Sequence, residues 1–144
     1  MIIIDVEGGR KAQKAFVKDA GLFYIKRLMP RIKNLAITVK LIRGLTDKDG
    51  VCGDCIWEDR NHKPREFTIR IDSKENKEFI LDTLAHEMIH VKQYARGELV
   101  DLVRKPKMSR FKGKLIPWES KDEPWEKEPW EKSKALYEDY KSYK

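Results

Sequence analysis

Two histidines four residues apart, His86 and His90, impose the strongest constraint on the fold of this 144-residue chain. On an α-helix this spacing places both side chains on one face, one turn apart. Two imidazoles so placed can bind one tetrahedral zinc ion. The chain has only three histidines, so a chance His-Glu-x-x-His is improbable, on the order of one in several hundred. We therefore predict a helix that binds one zinc ion per chain.

Glu87, which follows the first histidine, is the predicted catalytic base. Its carboxylate would lie beside the metal rather than on it, within reach of zinc-bound water. Zinc lowers the pKa of such water toward about 7, so Glu87 can take its proton and later pass it to a leaving amine. The pattern predicts an endopeptidase that hydrolyses peptide bonds with water activated by Glu87.

A catalytic zinc needs a third protein ligand and an open position for water. No histidine follows His90, and His62 lies upstream in a predicted loop. A carboxylate on a C-terminal helix, packed against the helix that carries His86 and His90, would complete a site of two histidines and one acid. The acidic residues of that segment are Glu119, Asp122, Glu123, Glu126, Glu128, Glu131, Glu138 and Asp139.

Hydrophobic patterning predicts an α+β fold around this helix. Short apolar and alternating segments predict four strands, over residues 2–6, 35–42, 51–57 and 66–72. Apolar residues at three- and four-residue steps predict one helix from Arg10 to Pro30 and another over residues 74–96. No linker divides the chain, so we expect one small zincin-like domain over residues 1–144. It would contain an N-terminal helix, a mixed sheet of about three to four strands, the active-site helix and a C-terminal helix.

Local signals set the expected boundaries of these elements. Ser73 is the expected N-cap of the active-site helix, and Gly97 suits the position just after its end. Residues 104–117 are expected to be basic and irregular, apart from a strand at 114–116. Pro124 is expected to open the last helix.

Composition narrows the classes of partner and compartment. The chain carries 31 Lys and Arg against 24 Asp and Glu, a net charge of +7, which favours anionic partners such as nucleic acid. These basic residues are spread along the chain, so any nucleic-acid association through the surface is expected to be weak. No apolar run approaches the roughly 20 residues of a membrane span, and the first residues lack the features of a signal peptide. We expect a cytoplasmic protein.

Cys52 and Cys55 form a C-x-x-C motif. With His62 they could contribute to a second metal site, although no second cysteine pair is present. A thioredoxin-like redox role would need the motif at the start of a helix, which the pattern does not predict here. The favoured interpretation is two reduced cysteines on a hairpin, which suits a reducing cytosol.

The segment 84–94 closely resembles the active-site helix of SprT-like metallopeptidases, in particular short phage-encoded members. The segments 64–69 and 97–98 fit the same family. The run Pro124-Trp125-Glu126-Lys127-Glu128 resembles the Pro-Trp-Glu-x-Glu-Ala segment that opens the last helix of those proteins. The resemblance covers roughly residues 50–140 and implies a compact gluzincin-like hydrolase whose third zinc ligand is a Glu of that helix.

By this resemblance Glu128 is the expected third ligand, followed by Glu126 and then Glu131. Pro129 departs from the family pattern because it occupies the position of the Ala. A proline well inside a helix clashes with the preceding turn. The helix is therefore expected either to begin at Pro129 or to be kinked there.

Two other functions remain open at this point. A nucleic-acid-associated protein could retain the scaffold without general proteolysis, with the basic stretch 104–114 as its contact surface. A latent zinc-binding protein, held inactive by a segment that covers the cleft, is the other alternative. The substrate, the cleavage preference and the oligomeric state do not follow from the sequence.

Overall fold

Alternating apolar residues build a sheet from four strands, which are β1 Ile2–Gly8, β2 Leu35–Ile42, β3 Gly53–Trp57 and β4 Glu66–Asp72. The computed structural model describes residues 1–59, 63–102, 108–117 and 123–144. The strand order is β1-β2-β4-β3. β1, β2 and β4 are parallel, whereas β3 runs antiparallel to β4 and forms one edge.

Four helices lie in the described part of the chain, and they are α1 Lys11–Leu28, α2 Leu45–Asp49, α3 Lys77–Ala95 and α4 Lys127–Tyr143. α1 and α3 cover one face of the sheet, and α4 packs against these two helices. The buried apolar side chains of β2 and β4 all point to that face, and they are Leu35, Ile37, Val39, Leu41, Phe67, Ile69 and Ile71. Each such side chain stabilises the fold by about 1.5–3 kcal/mol. The α+β class and the mixed sheet predicted from the sequence are confirmed.

The packing of α1 against β1 depends on a glycine. A Cβ atom on Gly21 would lie 2.9 Å from the Cδ1 atom of Ile4 and within van der Waals contact of Met88. Glycine inside a helix costs up to about 1 kcal/mol relative to alanine. Here it lets α1 approach both β1 and α3. The helix α1 is continuous as far as Leu28, two residues before Pro30.

The ends of α3 show how well local signals set its limits. Asn76, not the predicted Ser73, is the N-cap, because its side-chain oxygen accepts a hydrogen bond of 2.8 Å from the backbone N–H of Phe79. Gly97 has φ +74° and follows the helix as predicted. Its N–H and that of Glu98 donate to carbonyls in the last turn, as in a Schellman motif.

A second sheet was not predicted. It contains β5 Leu99–Leu102, β6 Met108–Phe111 and β7 Lys114–Pro117, all antiparallel. The expectation of irregular structure is therefore wrong for residues 108–111, while the predicted strand at 114–116 is confirmed. Residues 104–107 of the basic stretch lie outside the described residues, as does His62.

The last helix is reached through a 3-10 turn at Pro124–Glu126, and α4 then begins at Lys127. Pro129 consequently lies in the first turn of α4, where the backbone N–H has no partner within the helix in any case. Both predicted consequences of Pro129, a helix starting at that residue or a kink, are wrong for this reason.

Among the described residues, no helix combines the length and the apolar character that crossing a membrane requires.

Candidate metal centre

The helix α3 lies in the core and presents its two histidines toward α4. Leu84, Met88 and Ile89 are fully buried on its other sides. The side chains of His86 and His90 retain 16% and 9% of their exposure, and their ring centroids are 5.2 Å apart. The i, i+4 spacing therefore places both imidazoles on one face beside α4, as the sequence predicts.

Glu126, the last residue of the 3-10 turn, brings a carboxylate between the two imidazoles. Its Oε2 atom lies 3.2 Å from Nε2 of His86, and its Oε1 atom lies 2.9 Å from Nε2 of His90. Burial opposes ionisation of Glu126, but the hydrogen bonds with both histidines lower its pKa to about 2. The carboxylate is therefore ionised at neutral pH and can act as a ligand.

The three side chains have the chemistry and spacing of a metal site. One possible ligand atom from each of His86, His90 and Glu126 lies within 4.8 Å of the other two. Within the described residues, this is the one group of at least three His, Cys, Asp or Glu side chains with such spacing. Tetrahedral zinc with bonds of about 2.0–2.1 Å to nitrogen and oxygen separates its ligand atoms by roughly 3.3 Å. The His–Glu separations are of this order, although they involve the two different oxygens of Glu126, so the group is compatible with a tetrahedral cation.

The ranking that placed Glu128 first as the third ligand is corrected. The Oε2 atom of Glu128 accepts a hydrogen bond of 2.5 Å from Nζ of Lys92, whose side chain is largely buried. Its Oε1 atom is 3.3 Å from Nε2 of Gln93. Burial raises the pKa of Glu128, but these hydrogen bonds outweigh that effect and lower it. The carboxylate of Glu128 is therefore the partner of a lysine. Glu131, the third-ranked residue, is exposed on α4 and does not join the group.

Gln93 is fully buried next to the site and orients it through hydrogen bonds. Its Oε1 atom lies 2.9 Å from Nδ1 of His90, and its amide nitrogen donates to the carbonyl of Trp125 at 2.9 Å. With a proton held on Nδ1 by Gln93, the lone pair of Nε2 would be free to bind a cation that replaces the Nε2 proton now shared with Glu126. Such outer hydrogen bonds fix the tautomer of a ligating histidine. Gln93 also ties α3 to the 3-10 turn that carries Glu126.

Glu87 faces the cavity beside this group and is buried, with 7% of its surface exposed. Burial raises the pKa of Glu87 to about 7, and the charge of Glu126 adds to the effect. Gly53 of β3 lets this strand approach α3 beside Glu87, because a Cβ there would lie 2.6 Å from Cγ2 of Thr83. A divalent cation nearby would lower this pKa and favour the carboxylate.

Glu87→Gln should stabilise the protein at high pH when a chelator is present. The folded-state pKa of Glu87, about 7, lies above the ordinary value of 4.5, so the unfolded chain ionises first as the pH rises. Its contribution to stability is complete below pH 4.5 and is lost as the pH rises through 7. Glutamine does not titrate. Urea unfolding should show the variant more stable above pH 7 by roughly 1–3 kcal/mol, with the difference vanishing below pH 4.5. A difference independent of pH would contradict this account.

A cavity of about 500 Å³ opens beside the histidines and Glu87. The edge strand β3 and the preceding residues form one wall, which includes both cysteines. Cys52 is exposed and Cys55 is half-buried, and both are free thiols on the β3–β4 hairpin, as the sequence predicts. Neither belongs to the metal-ligand group found among the described residues.

Tyr94 is the one tyrosine among the described residues that lines the cavity. Its hydroxyl donates to Oδ2 of Asp101 at 3.0 Å, and the Trp57 indole N–H donates to the same atom at 2.7 Å. Asp101 thus joins α3, β3 and β5. Tyr137 and Tyr140 are buried in the core, and the hydroxyl of Tyr140 donates to Asp19.

Sequence reasoning missed four residues around the site, namely Gly53, Gln93, Asp101 and, as a cavity-lining residue, Asp82. Gln93 could have been found, because it lies three residues after His90 and therefore on the same face of the helix. The contacts of Gly53 and Asp101 join distant parts of the chain, and no local pattern marks them. Trp125 is buried, whereas Trp130 is 75% exposed beside His86.

Comparisons of the chain with models of protein families, with curated proteins and with solved structures give no match. The resemblance to SprT-like metallopeptidases stays a prediction, and the interpretation of the site rests on its geometry.

Proposed function

We propose that this protein is a zinc-dependent endopeptidase in which His86, His90 and Glu126 bind the ion and Glu87 is the general base. One observation carries the proposal: three donor atoms suited to zinc converge beside a buried glutamate at the wall of an open cavity. A structural zinc site would be closed by four protein ligands, whereas a catalytic one has three and an open position. When bound, zinc would act as a Lewis acid that polarises a carbonyl and lowers the pKa of water.

Glu87 would carry out the proton transfers of the reaction. Its carboxylate would take a proton from the attacking water and deliver it to the nitrogen of the leaving amine. Burial keeps the pKa of this group high, and the positive charge of a cation opposes that effect, so its proton affinity suits both transfers near neutral pH.

The edge strand supports a peptide as the substrate. In the described part of the chain, β3 pairs with β4 alone, so the backbone groups of its other edge remain available. An extended peptide could add to this edge as a further strand, because main-chain hydrogen bonds accept any sequence. Residues 52–55 of this edge line the cavity, so such a peptide would pass the histidines.

Chelation tests the proposal directly. Hydrolysis of an unstructured protein such as casein should stop when a chelator removes the metal and return when about one equivalent of zinc is added. Metal analysis of the purified protein should give about one zinc per chain. Hydrolysis that persists without metal, or a protein that neither binds zinc nor is stabilised by it, would refute the proposal.

A further inference from the structure

The cavity beside the proposed zinc site is acidic, although the protein as a whole is basic. The chain has a formal charge of +7, yet the described residues that line the cavity include no Lys or Arg. Four carboxylates line it, those of Asp54, Asp82, Glu87 and Glu126. A cleft lined by one sign of charge concentrates ligands of the opposite sign.

Three of these carboxylates have a partner or a role. Asp54 forms an ion pair with Arg70 on the outer side of the sheet. Glu126 lies between the histidines, and Glu87 is the proposed base. The negative charge that remains for a ligand is therefore that of Asp82.

Asp82 lies on α3 four residues before His86, so the two side chains share a face of the helix one turn, about 5.4 Å, apart. Its Oδ1 atom is buried and has no hydrogen-bond partner among the described residues. Leaving a buried carboxylate oxygen unpaired is unfavourable. A cationic ligand in the cavity that donates hydrogen bonds to this carboxylate would offset part of this cost.

Aromatic rings flank the same part of the cavity. Trp130 of α4 is 75% exposed, and its ring centroid lies 5.1 Å from that of His86. Phe79, on the turn of α3 before Asp82, is 37% exposed. Both side chains line the cavity. Aromatic faces attract ammonium and guanidinium groups, and tryptophan does so most strongly.

We propose that this end of the cavity is a substrate subsite for a cationic side chain, Lys or Arg, next to the bond to be cleaved. Asp82 would accept hydrogen bonds from the cation, while Trp130 and Phe79 would pack against its aliphatic stem and charged head. A free amino terminus carries the same charge, but the offset of one helical turn from His86 suits a side chain of several bonds. This inference rests on the proposed endopeptidase function.

Binding to a protein that cannot cleave tests the subsite separately from catalysis. The probes are peptides blocked at both ends that carry Lys, Arg or the uncharged norleucine at one position and are otherwise identical. Glu87→Gln protein loaded with zinc should bind the Lys and Arg peptides roughly tenfold more tightly than the norleucine peptide by fluorescence anisotropy. Adding Asp82→Asn should reduce this ratio to about two.

Two further variants separate a specific loss from misfolding. Trp130→Ala removes an exposed side chain and should lower the ratio severalfold with the unfolding midpoint unchanged. Glu78→Gln removes an exposed carboxylate of the same helix outside the cavity and should leave the ratio unchanged. Equal binding of all peptides, or a preference that survives Asp82→Asn, overturns the subsite.

Cleavage by the wild-type protein distinguishes the two proposals. Faster cleavage of the Lys and Arg peptides supports both, and equal cleavage of all three overturns the subsite alone. If nothing is cleaved while the Asp82-dependent binding preference is present, the subsite stands and the endopeptidase function fails.

Discussion

Replacing Glu87 by Gln should lower kcat/KM for peptide hydrolysis by roughly 10²–10⁴-fold while the protein retains one zinc per chain. The carboxylate of Glu87 faces the cavity, outside the His86–His90–Glu126 group, so its loss removes the proton acceptor and leaves the ligands in place. Glutamine has almost the same shape, and the buried position between Thr83 and Gly53 should accept it. The measurements are steady-state kinetics on one peptide and metal analysis of the same samples.

Glu78→Gln is the matched control, since it makes the same chemical change at an exposed position of the same helix. It should change kcat/KM by less than about twofold. Retention of full activity by Glu87→Gln would contradict the role of general base. Loss of zinc together with activity would instead indicate that Glu87 is needed to hold the metal.

The second large effect is expected at Glu126. Glu126→Gln should weaken zinc binding by at least about 100-fold, because it removes one of three ligands and a negative charge at the site. Glu128→Gln should leave the zinc affinity within a few fold of wild type. It should lower the free energy of unfolding by about 1–3 kcal/mol, because the largely buried Lys92 loses its closest partner and keeps Glu98 at 3.4 Å. Competition with a chromophoric chelator measures the affinity, and urea unfolding measures the stability.

Glu131→Gln serves as the control for both variants, because Glu131 is exposed on the same helix and belongs to neither contact. It should alter neither the zinc affinity nor the stability. The opposite pattern, with zinc lost in Glu128→Gln and retained in Glu126→Gln, would show that Glu128, not Glu126, binds the metal.

The half of the candidate metal site that lies on α3 could be predicted because it is local. His86, Glu87 and His90 belong to one helix, so their relative positions follow from its 3.6-residue repeat once the helix is recognised. The apolar pattern and Gly97 identify that helix without help from the rest of the chain. The sequence alone therefore leads to both histidines and to the neighbouring Glu87.

The carboxylate that joins the two histidines could not be predicted in the same way. Whether Glu126 or Glu128 reaches the histidines depends on the 3-10 turn at Pro124–Glu126 and on where α4 begins, and two residues of helix rotate a side chain by about 200°. The deciding contacts join residues more than 30 positions apart, such as Lys92 with Glu128 and Gln93 with Trp125. Pro129 lies near the start of α4, and the expected kink or later start does not occur because a proline in the first helical turn causes no clash.

The β6–β7 hairpin was missed for a different reason. Its two-residue loop, Lys112-Gly113, has φ +48° and +87°, as type I′ turns require. Lysine at the first of these positions is not a common signal for such a turn, and the basic composition of the segment obscured the alternation of its strands. Asp101 binds this sheet to the rest of the fold through Tyr94 and Trp57.

Crystals of the zinc-loaded protein, measured on both sides of the zinc absorption edge, test the central claim most directly. The account predicts one anomalous peak per chain, bonded to Nε2 of His86, Nε2 of His90 and a carboxylate oxygen of Glu126, with Glu87 adjacent but not coordinating. A peak bonded to Glu128 instead of Glu126, a peak away from the two histidines, or a fourth protein ligand closing the site would contradict it.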